Sequence, residues 1–392
     1  MVPASPSARP VAATRPRNRR QLILDAAGRV FSERGYHAAS MEEVAVGVGI
    51  TATALYRHFP NKYALFAECA DVMVDGLVEA LDEVAPEAPL AEVLAAAARI
   101  TVAHRASGGV YRWEARYLHR EDRRRLGVKF DRLVERVDAA VQHERPLSDG
   151  RLRATAALGA IGSITMHHTS IAPRRAEELL VASALRVAAT DPEAGLRDAP
   201  AVALPVRPVP RTRREEILAA SVPLFARDGF ANVTNGQIAE AVGLTPSALY
   251  RHYPGKIDIL SAACLQAAEL LSQGVERGLH GVTEPREALV ALAATYVAYS
   301  FEYTDLNSVA EAELPGLPDG LRGPLVLAQR RHVGVWEQQL RLVRPELDSR
   351  QARALAHAAF GVVVEAGRHL RWQDGPAERA AATGLAMAAL GL

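Results

Sequence analysis

Apolar residues recur along this chain with the period of a helix, not of a strand. In ILDAAGRVF, residues 23–31, and EEILAASVPLF, residues 215–225, they fall at i, i+3, i+4 and i+7 spacing, the stripe of an amphipathic helix. Longer Ala/Leu/Arg/Glu stretches, such as APLAEVLAAAARITVAHR and PREALVALAATYVAYSFEY, have the composition of packed helices. Sustained alternation with β-branched enrichment is absent, so the pattern predicts an all-α protein.

The pattern is also written twice. Residues 19–62 and 213–256 align without a gap at an offset of 194, with 18 identities in 44 positions. Chance would give about two to four at such compositions. Further on, RPLSDGR at 145–151 matches RPELDSR at 344–350 at an offset of 199, each followed by a small-residue helix containing Gly162 or Gly361. A unit of about 190 residues is therefore duplicated. Five prolines between Pro192 and Pro210 mark a semi-extended linker between the copies.

Local signals subdivide each copy. Gly35 suits the C′ position after a first helix. Ser40-Met41-Glu42-Glu43 and Thr234-Asn235-Gly236-Gln237 fit capping boxes that open a short second helix. Gly49 and Gly243 then supply the positive φ of a tight turn. Thr51 and Thr245 cap a third helix, with Pro246 at its first position. Two short helices joined by a glycine turn predict a helix-turn-helix, whose second helix enters the DNA major groove. Leu55 and Leu249 must face the core. The opposite side offers Thr53, Tyr56, Arg57 and His58, or Ser247, Tyr250, Arg251 and His252, groups suited to phosphates and base edges.

Composition sharpens this in two places. The chain of 392 residues has a net charge of +1, so any nucleic-acid surface must be local. Residues 1–62 hold nine basic and four acidic side chains, and residues 205–256 hold seven and four. Arginine outnumbers lysine 43 to 3, yet Lys62 and Lys256 occupy the same repeat position at the start of a helix. The helix dipole disfavours a cation there; a bound phosphate would reverse that sign. Two cysteines, Cys69 and Cys264, cannot build a disulfide framework or a four-cysteine zinc site, and they read as buried apolar residues. No run predicts a membrane span, and the N-terminus lacks the apolar region of a secretory signal. A cytoplasmic protein is expected. No nucleophile elbow, Walker loop, HExxH or zinc-deaminase signature appears, so neither an enzyme nor a cofactor is expected.

The succession of helix, Gly-aromatic (Gly35-Tyr36, Gly229-Phe230), capped helix, Val-Gly and LYRHFPNK or LYRHYPGK resembles the TetR family of bacterial repressors, twice over. The resemblance covers about a quarter of the chain. It implies phosphate contacts from Tyr56, His58 and Lys62, with Tyr250, His252 and Lys256. Thr51 and Thr245 are expected chiefly as caps that also reach a phosphate. Base-edge positions are Ala52, Thr53 and Arg57, with Pro246, Ser247 and Arg251. Glu42 and Gly236 depart from members that place a base-reading basic residue there. The arms Arg15, Arg17, Arg19, Arg20 and Arg211, Arg213, Arg214 suit a minor groove or a solvated tail.

The layout so implied is a basic tail (1–18), a first DNA-binding domain (19–66), a first helical effector and dimerisation domain (67–190), a linker (191–212), a second DNA-binding domain (213–260) and a second effector domain (261–392). Family members with one unit pair as homodimers. Here the helices holding Ala157, Ile161, Gly162 and Ala358, Phe360, Gly361 are expected to pair within the chain as a pseudo-dimer; pairing with another chain is the alternative. The expected partners are a double-stranded operator with an imperfect palindrome and a hydrophobic or amphipathic small molecule that releases a repressor. Pocket candidates are Tyr111, Trp113, Arg116, Tyr117, Met166 and His167 in unit 1, and Tyr296, Tyr299, Tyr303, Trp336 and Trp372 in unit 2, each weighed against ordinary core packing. The adjacent pair His167-His168 is a poor metal site. A helical adaptor with vestigial DNA-reading helices is the competing reading.

Overall fold

A computed structural model describes residues 19–106, 115–146, 148–192 and 202–392. Trp113 and Tyr111, with the arm residues Arg15 and Arg17, lie outside the described residues. Every regular element among those described is helical. Unit 1 comprises α1 (Arg19–Ala38), α2 (Met41–Val48), α3 (Ala52–Tyr56), α4 (Lys62–Asp82), α5 (Leu90–Ala103), α6 (Arg120–Glu144), α7 (Gly150–Gly162) and α8 (Pro173–Ala189). Unit 2 comprises α9 (Arg213–Asp228), α10 (Asn235–Ala241), α11 (Pro246–Leu249), α12 (Lys256–Gly278), α13 (Pro285–Glu302), α14 (Thr304–Glu313), α15 (Asp319–Val343), α16 (Ser349–His369) and α17 (Pro376–Leu390).

The repeat is kept helix by helix. α4 and α12 start 194 residues apart, and α6 and α15 start 199 apart, the two offsets of the sequence. Between them, α5 starts after Pro89 and α13 after Glu284, an offset of 195.

The two units meet along α7 and α16, with α8 and α17 beside them. α16 is enclosed along nearly its whole length, as its Ala/Val-rich sequence requires. The helices cross at glycine: a Cβ on Gly159 would lie 2.7 Å from the Gly361 carbonyl oxygen. Gly361 was expected at this crossing, but its opposite number is Gly159, not Gly162. At the flank, Ser183 Oγ donates to the Ala389 carbonyl at 2.8 Å, and Arg186 donates to the carbonyls of Ala388 and Ala389 at 3.1 Å. One apolar core runs unbroken from Phe31 and Leu55 of unit 1 through this crossing to Trp336 and Leu385 of unit 2. The helix-turn-helix of unit 2 has its own core around Phe225, Leu249 and Ile259.

The end of the Pro-rich stretch is not a free spacer. Leu204 is buried against Gly274, and the Tyr303 hydroxyl donates to the Pro205 carbonyl at 2.6 Å. Tyr303, expected in a pocket, is thus a staple for the incoming chain.

Candidate nucleic-acid interface and cavities

Each helix-turn-helix is built by the local signals that predicted it. At α2 the Glu43 N–H donates to Ser40 Oγ at 3.1 Å, while the Ser40 N–H donates back to Glu43 Oε2 at 2.9 Å. Thr234 and Gln237 repeat the exchange at 3.2 and 2.8 Å. Gly49 and Gly243 take φ of 72° and 65°, a conformation that costs a side-chain-bearing residue energy. Thr51 Oγ1 accepts from the Ala54 N–H at 3.2 Å, and Thr245 Oγ1 from Ala248 at 3.3 Å, so one orphan donor of each third helix is satisfied.

Leu55 and Leu249 are buried at 0% and 2% exposure and fix the roll of α3 and α11. The opposite face is then outward. Thr51, Thr53, Tyr56 and Arg57 are exposed, as are Thr245, Pro246, Ser247, Tyr250 and Arg251; Ala52, His58 and His252 are half-buried. Tyr56 and Tyr250 keep 47% and 52% of their surface open, unusual for an aromatic residue with a core available. The copies differ at one contact. Tyr250 Oη accepts from Asn235 Nδ2 at 2.8 Å; the repeat partner of Asn235 is Met41, which cannot donate.

The lysines have a different employment from the phosphate contact expected of them. Lys62 Nζ donates to the carbonyls of Tyr36 at 2.7 Å and Ala39 at 3.1 Å. Lys256 Nζ donates to Phe230 and Val233, both at 2.6 Å. Each ammonium also sits over the ring of the Gly-aromatic pair, 4.6 Å from Tyr36 and 4.4 Å from Phe230. The side chain reaches away from its own helix start and closes the carbonyls left open where α1 kinks at Gly35 and α9 ends at Gly229. A compact ammonium with three donors fits this convergent set; a planar guanidinium does not. Burial lowers the Lys256 pKa. Two of the arm residues show a parallel result. Arg20 lies 4.4 Å over Phe59 and donates to the His58 carbonyl at 3.2 Å. Arg214 lies 3.9 Å over Tyr253 and donates to the His252 carbonyl. Both pin the third helix rather than extend from the fold.

Behind each helix-turn-helix lies a cavity. That of unit 1 has a volume of about 330 Å³ and that of unit 2 about 470 Å³. They occupy corresponding places. Thr101 of α5 and His104 at its C-cap line the first where Tyr296 and Tyr299 of α13 line the second. Leu133 of α6 corresponds to His332 of α15, and Leu158 and Ile161 of α7 correspond to His357 and Phe360 of α16. Each cavity also borrows from the other unit. Glu365, Arg368 and His369 of α16 close the first, and Met166 of unit 1 reaches the second. Met166 was expected in its own unit's pocket. The charged side chains of the first cavity are paired: Arg151 with Asp131 at 2.5 Å, Arg368 with Glu365 at 3.0 Å.

Of the remaining pocket candidates, Tyr296 and Tyr299 line the unit 2 cavity. The Tyr296 hydroxyl donates to Glu311 Oε1 at 2.9 Å, and burial with that carboxylate raises its pKa. Trp336 stands behind the wall, fully buried, edge-on to Phe360 at 5.0 Å. His167 stacks on His357 across the unit boundary at 4.2 Å. Trp372 packs on Phe301 and over Gly367. Groups of three or more metal-ligating side chains are absent among the described residues, and no described helix is long and apolar enough to cross a membrane. Both cysteines are buried, and burial raises their pKa, that of Cys264 to about 12.

Arg116 and Tyr117 line neither cavity. They belong to a junction around Glu313, which is 1% exposed. Glu313 Oε1 accepts from the Tyr117 hydroxyl at 2.6 Å and from the Phe230 N–H at 3.3 Å; Oε2 faces His37 Nδ1 at 3.1 Å. The His37 ring lies 4.9 Å from Phe230. Arg116 donates to the carbonyls of Phe225 and Ser308 at 3.2 and 2.9 Å. One carboxylate thus ties the end of α1 to the start of the corresponding loop in unit 2. Burial would raise its pKa, but the hydrogen bonds from His37 and Tyr117 and the nearby Arg116 outweigh that and hold it below the usual value.

Comparison with known proteins matches the family described as bacterial regulatory proteins, tetR family, at residues 23–69 and again at 217–263. The transcriptional activator FasR of Mycolicibacterium smegmatis is 45% identical over 60 residues, 15% of this chain and 27% of FasR. The transcriptional regulator AcrR of Shigella flexneri is 47% identical over 49 residues, 12% of this chain and 23% of AcrR. The similarity to these two therefore spans about a quarter of their length. A TetR-family regulator from Bordetella parapertussis aligns in structure with a TM-score of 0.41 and 21% identity, over 47% of this chain and 94% of that one.

Proposed function

We propose that this chain is a tandem member of the TetR family of bacterial regulatory proteins, whose model matches both helix-turn-helix segments, and that it binds operator DNA through α3 and α11 as an intramolecular pseudo-dimer. Its cavities would hold small effectors that alter the grip on DNA, most simply by releasing a repressor. The observation that carries this reading is the preservation in both copies of an outward Tyr-Arg pair on a helix rolled by a buried leucine: Tyr56 and Arg57 over Leu55, Tyr250 and Arg251 over Leu249. A vestigial copy would have no reason to keep two half-exposed tyrosines. The glycine crossing of α7 and α16, with its continuous core, supports pairing within the chain. On this reading Tyr56, His58, Tyr250 and His252 contact phosphates, while Thr53, Arg57, Ser247 and Arg251, with Ala52 and Pro246, face base edges.

A mobility shift on DNA flanking the chain's own coding region, with stoichiometry from sedimentation, tests this. One chain per operator, with affinity falling steeply as salt is added, is the expected result. Two chains per minimal operator, each inserting one third helix, would refute the pseudo-dimer. No sequence-specific shift would favour the adaptor reading. A reporter assay with the gene deleted shows the sign of regulation, repression predicting a rise in expression.

A further inference from the structure

We propose that the two cavities have diverged to take different ligands, an aliphatic chain in unit 1 and a neutral flat aromatic bearing a hydroxyl group in unit 2. The proposal rests on the reading above that the cavities hold effectors, and it names their chemistry.

The carrying observation is what the duplication did to equivalent wall positions. Leu133, Leu158 and Ile161 of the first cavity become His332, His357 and Phe360 in the second. Flexible branched side chains adapt to a flexible chain. Rings present rigid slabs, which favour a ligand that can stack or meet them edge-on. The slabs are already ordered: His332 stacks on Phe360 at 5.5 Å and 25°, and Tyr296 lies 4.6 Å from the same ring. The second cavity is also the larger of the two, about 470 Å³ against about 330 Å³.

The second observation concerns a polar atom. His332 Nε2 is buried in the wall with no hydrogen-bond partner. Such an atom costs stability unless something meets it. Burial lowers the His332 pKa to about 4, so the ring is neutral and exchanges one hydrogen bond with a neutral group. The charged side chains in this wall, Glu276, Glu311 and Arg331, sum to one negative charge, which disfavours a carboxylate. A hydroxyl serves whichever tautomer His332 adopts, because it both donates and accepts.

Calorimetric titration of the full chain with 2-naphthol and decan-1-ol tests the assignment. Each probe carries one neutral hydroxyl, phenolic in 2-naphthol and aliphatic in decan-1-ol, on a flat or a flexible body. Each should bind once per chain without competing. His332→Leu places the unit 1 residue in unit 2 and should weaken 2-naphthol about tenfold or more, with decan-1-ol held within about twofold. His332→Gln keeps a hydrogen-bonding group and should restore most of the affinity. Phe360→Ile carries the same expectation as His332→Leu should that variant fold poorly. Leu158→Trp, which fills the first cavity, should abolish decan-1-ol binding alone. Competition for a single site, equal loss of both probes in His332→Leu, or binding of neither probe overturns the proposal. Binding is read without DNA, so the expected pattern with no effect of either probe on a mobility shift would sustain the ligand assignment and refute effector control.

Discussion

Gly159 and Gly361 face each other so closely that a Cβ added to Gly361 would lie 2.4 Å from the Gly159 carbonyl oxygen. The clash is with backbone, so no rotamer relieves it; the helices would have to part. Gly361→Ala should therefore lower stability by about 1–3 kcal/mol, as overpacking does, seen as a fall in the thermal midpoint. Gly76 and Gly127, with open space where their Cβ would stand, are the controls. Alanine there should leave the midpoint unchanged or raise it, since glycine is the poorer helix former.

Lys256 separates a fold-holding role from a DNA-contacting one. Its ammonium meets the Phe230 and Val233 carbonyls. Lys256→Ala should destabilise the second helix-turn-helix by about 1–3 kcal/mol, read as an earlier denaturant midpoint. Lys256→Arg should recover little, because the fork cannot enter the convergent carbonyl set. A phosphate contact alone would leave stability untouched and weaken DNA binding uniformly.

Much of this architecture was legible in the sequence, because local chemistry encodes it. The capping residues Ser40, Thr51, Thr234 and Thr245, the left-handed Gly49 and Gly243 and the inward Leu55 and Leu249 are each decided within four or five residues of chain. The Glu313 junction is decided by segments up to 276 residues apart, and nothing in AEAELPG announces it. Arg116 and Tyr117 drew notice for residue type alone, and they turned out to serve that junction. Lys62 and Lys256 were singled out by position, yet their partners are carbonyls, which sequence does not display. Met166 lies across the unit boundary, beyond any reading that treats each unit separately.

Glu313 should make the join between the two helix-turn-helix domains sensitive to acid. Its folded pKa is depressed below the ordinary 4.5. The unfolded state then binds the proton more readily, so stability rises with pH through this window. The contribution is complete above about pH 4.5 and disappears as pH falls through the folded value. Glu313→Gln keeps the shape but weakens the acceptor for Tyr117 and His37, and should cost about 2 kcal/mol at neutral pH. Thermal midpoints of both proteins across pH 3–7 should converge in acid. A gap that stayed constant would show that packing, not charge, holds the junction.

The two third helices share Ala-Leu-Tyr-Arg-His yet differ around it, and the difference reaches the tyrosines. Asn235 Nδ2 orients the Tyr250 hydroxyl, whereas Met41 leaves that of Tyr56 without this contact. A held phenol loses less rotamer freedom on meeting a phosphate. Tyr250→Phe should therefore cost more affinity than Tyr56→Phe, and Asn235→Ala should bring the two closer. Base reading diverges too, with Ala52 and Thr53 against Pro246 and Ser247. Arg57→Ala should relax specificity in one half-site and Arg251→Ala in the other, each by about 1–3 kcal/mol if the guanidinium meets a guanine edge. Selection from randomised DNA, repeated with each variant, measures this directly. Unequal half-sites, each answering to one arginine, are the expected outcome. A symmetric operator in which both substitutions disturb both halves would mean that like units pair between chains.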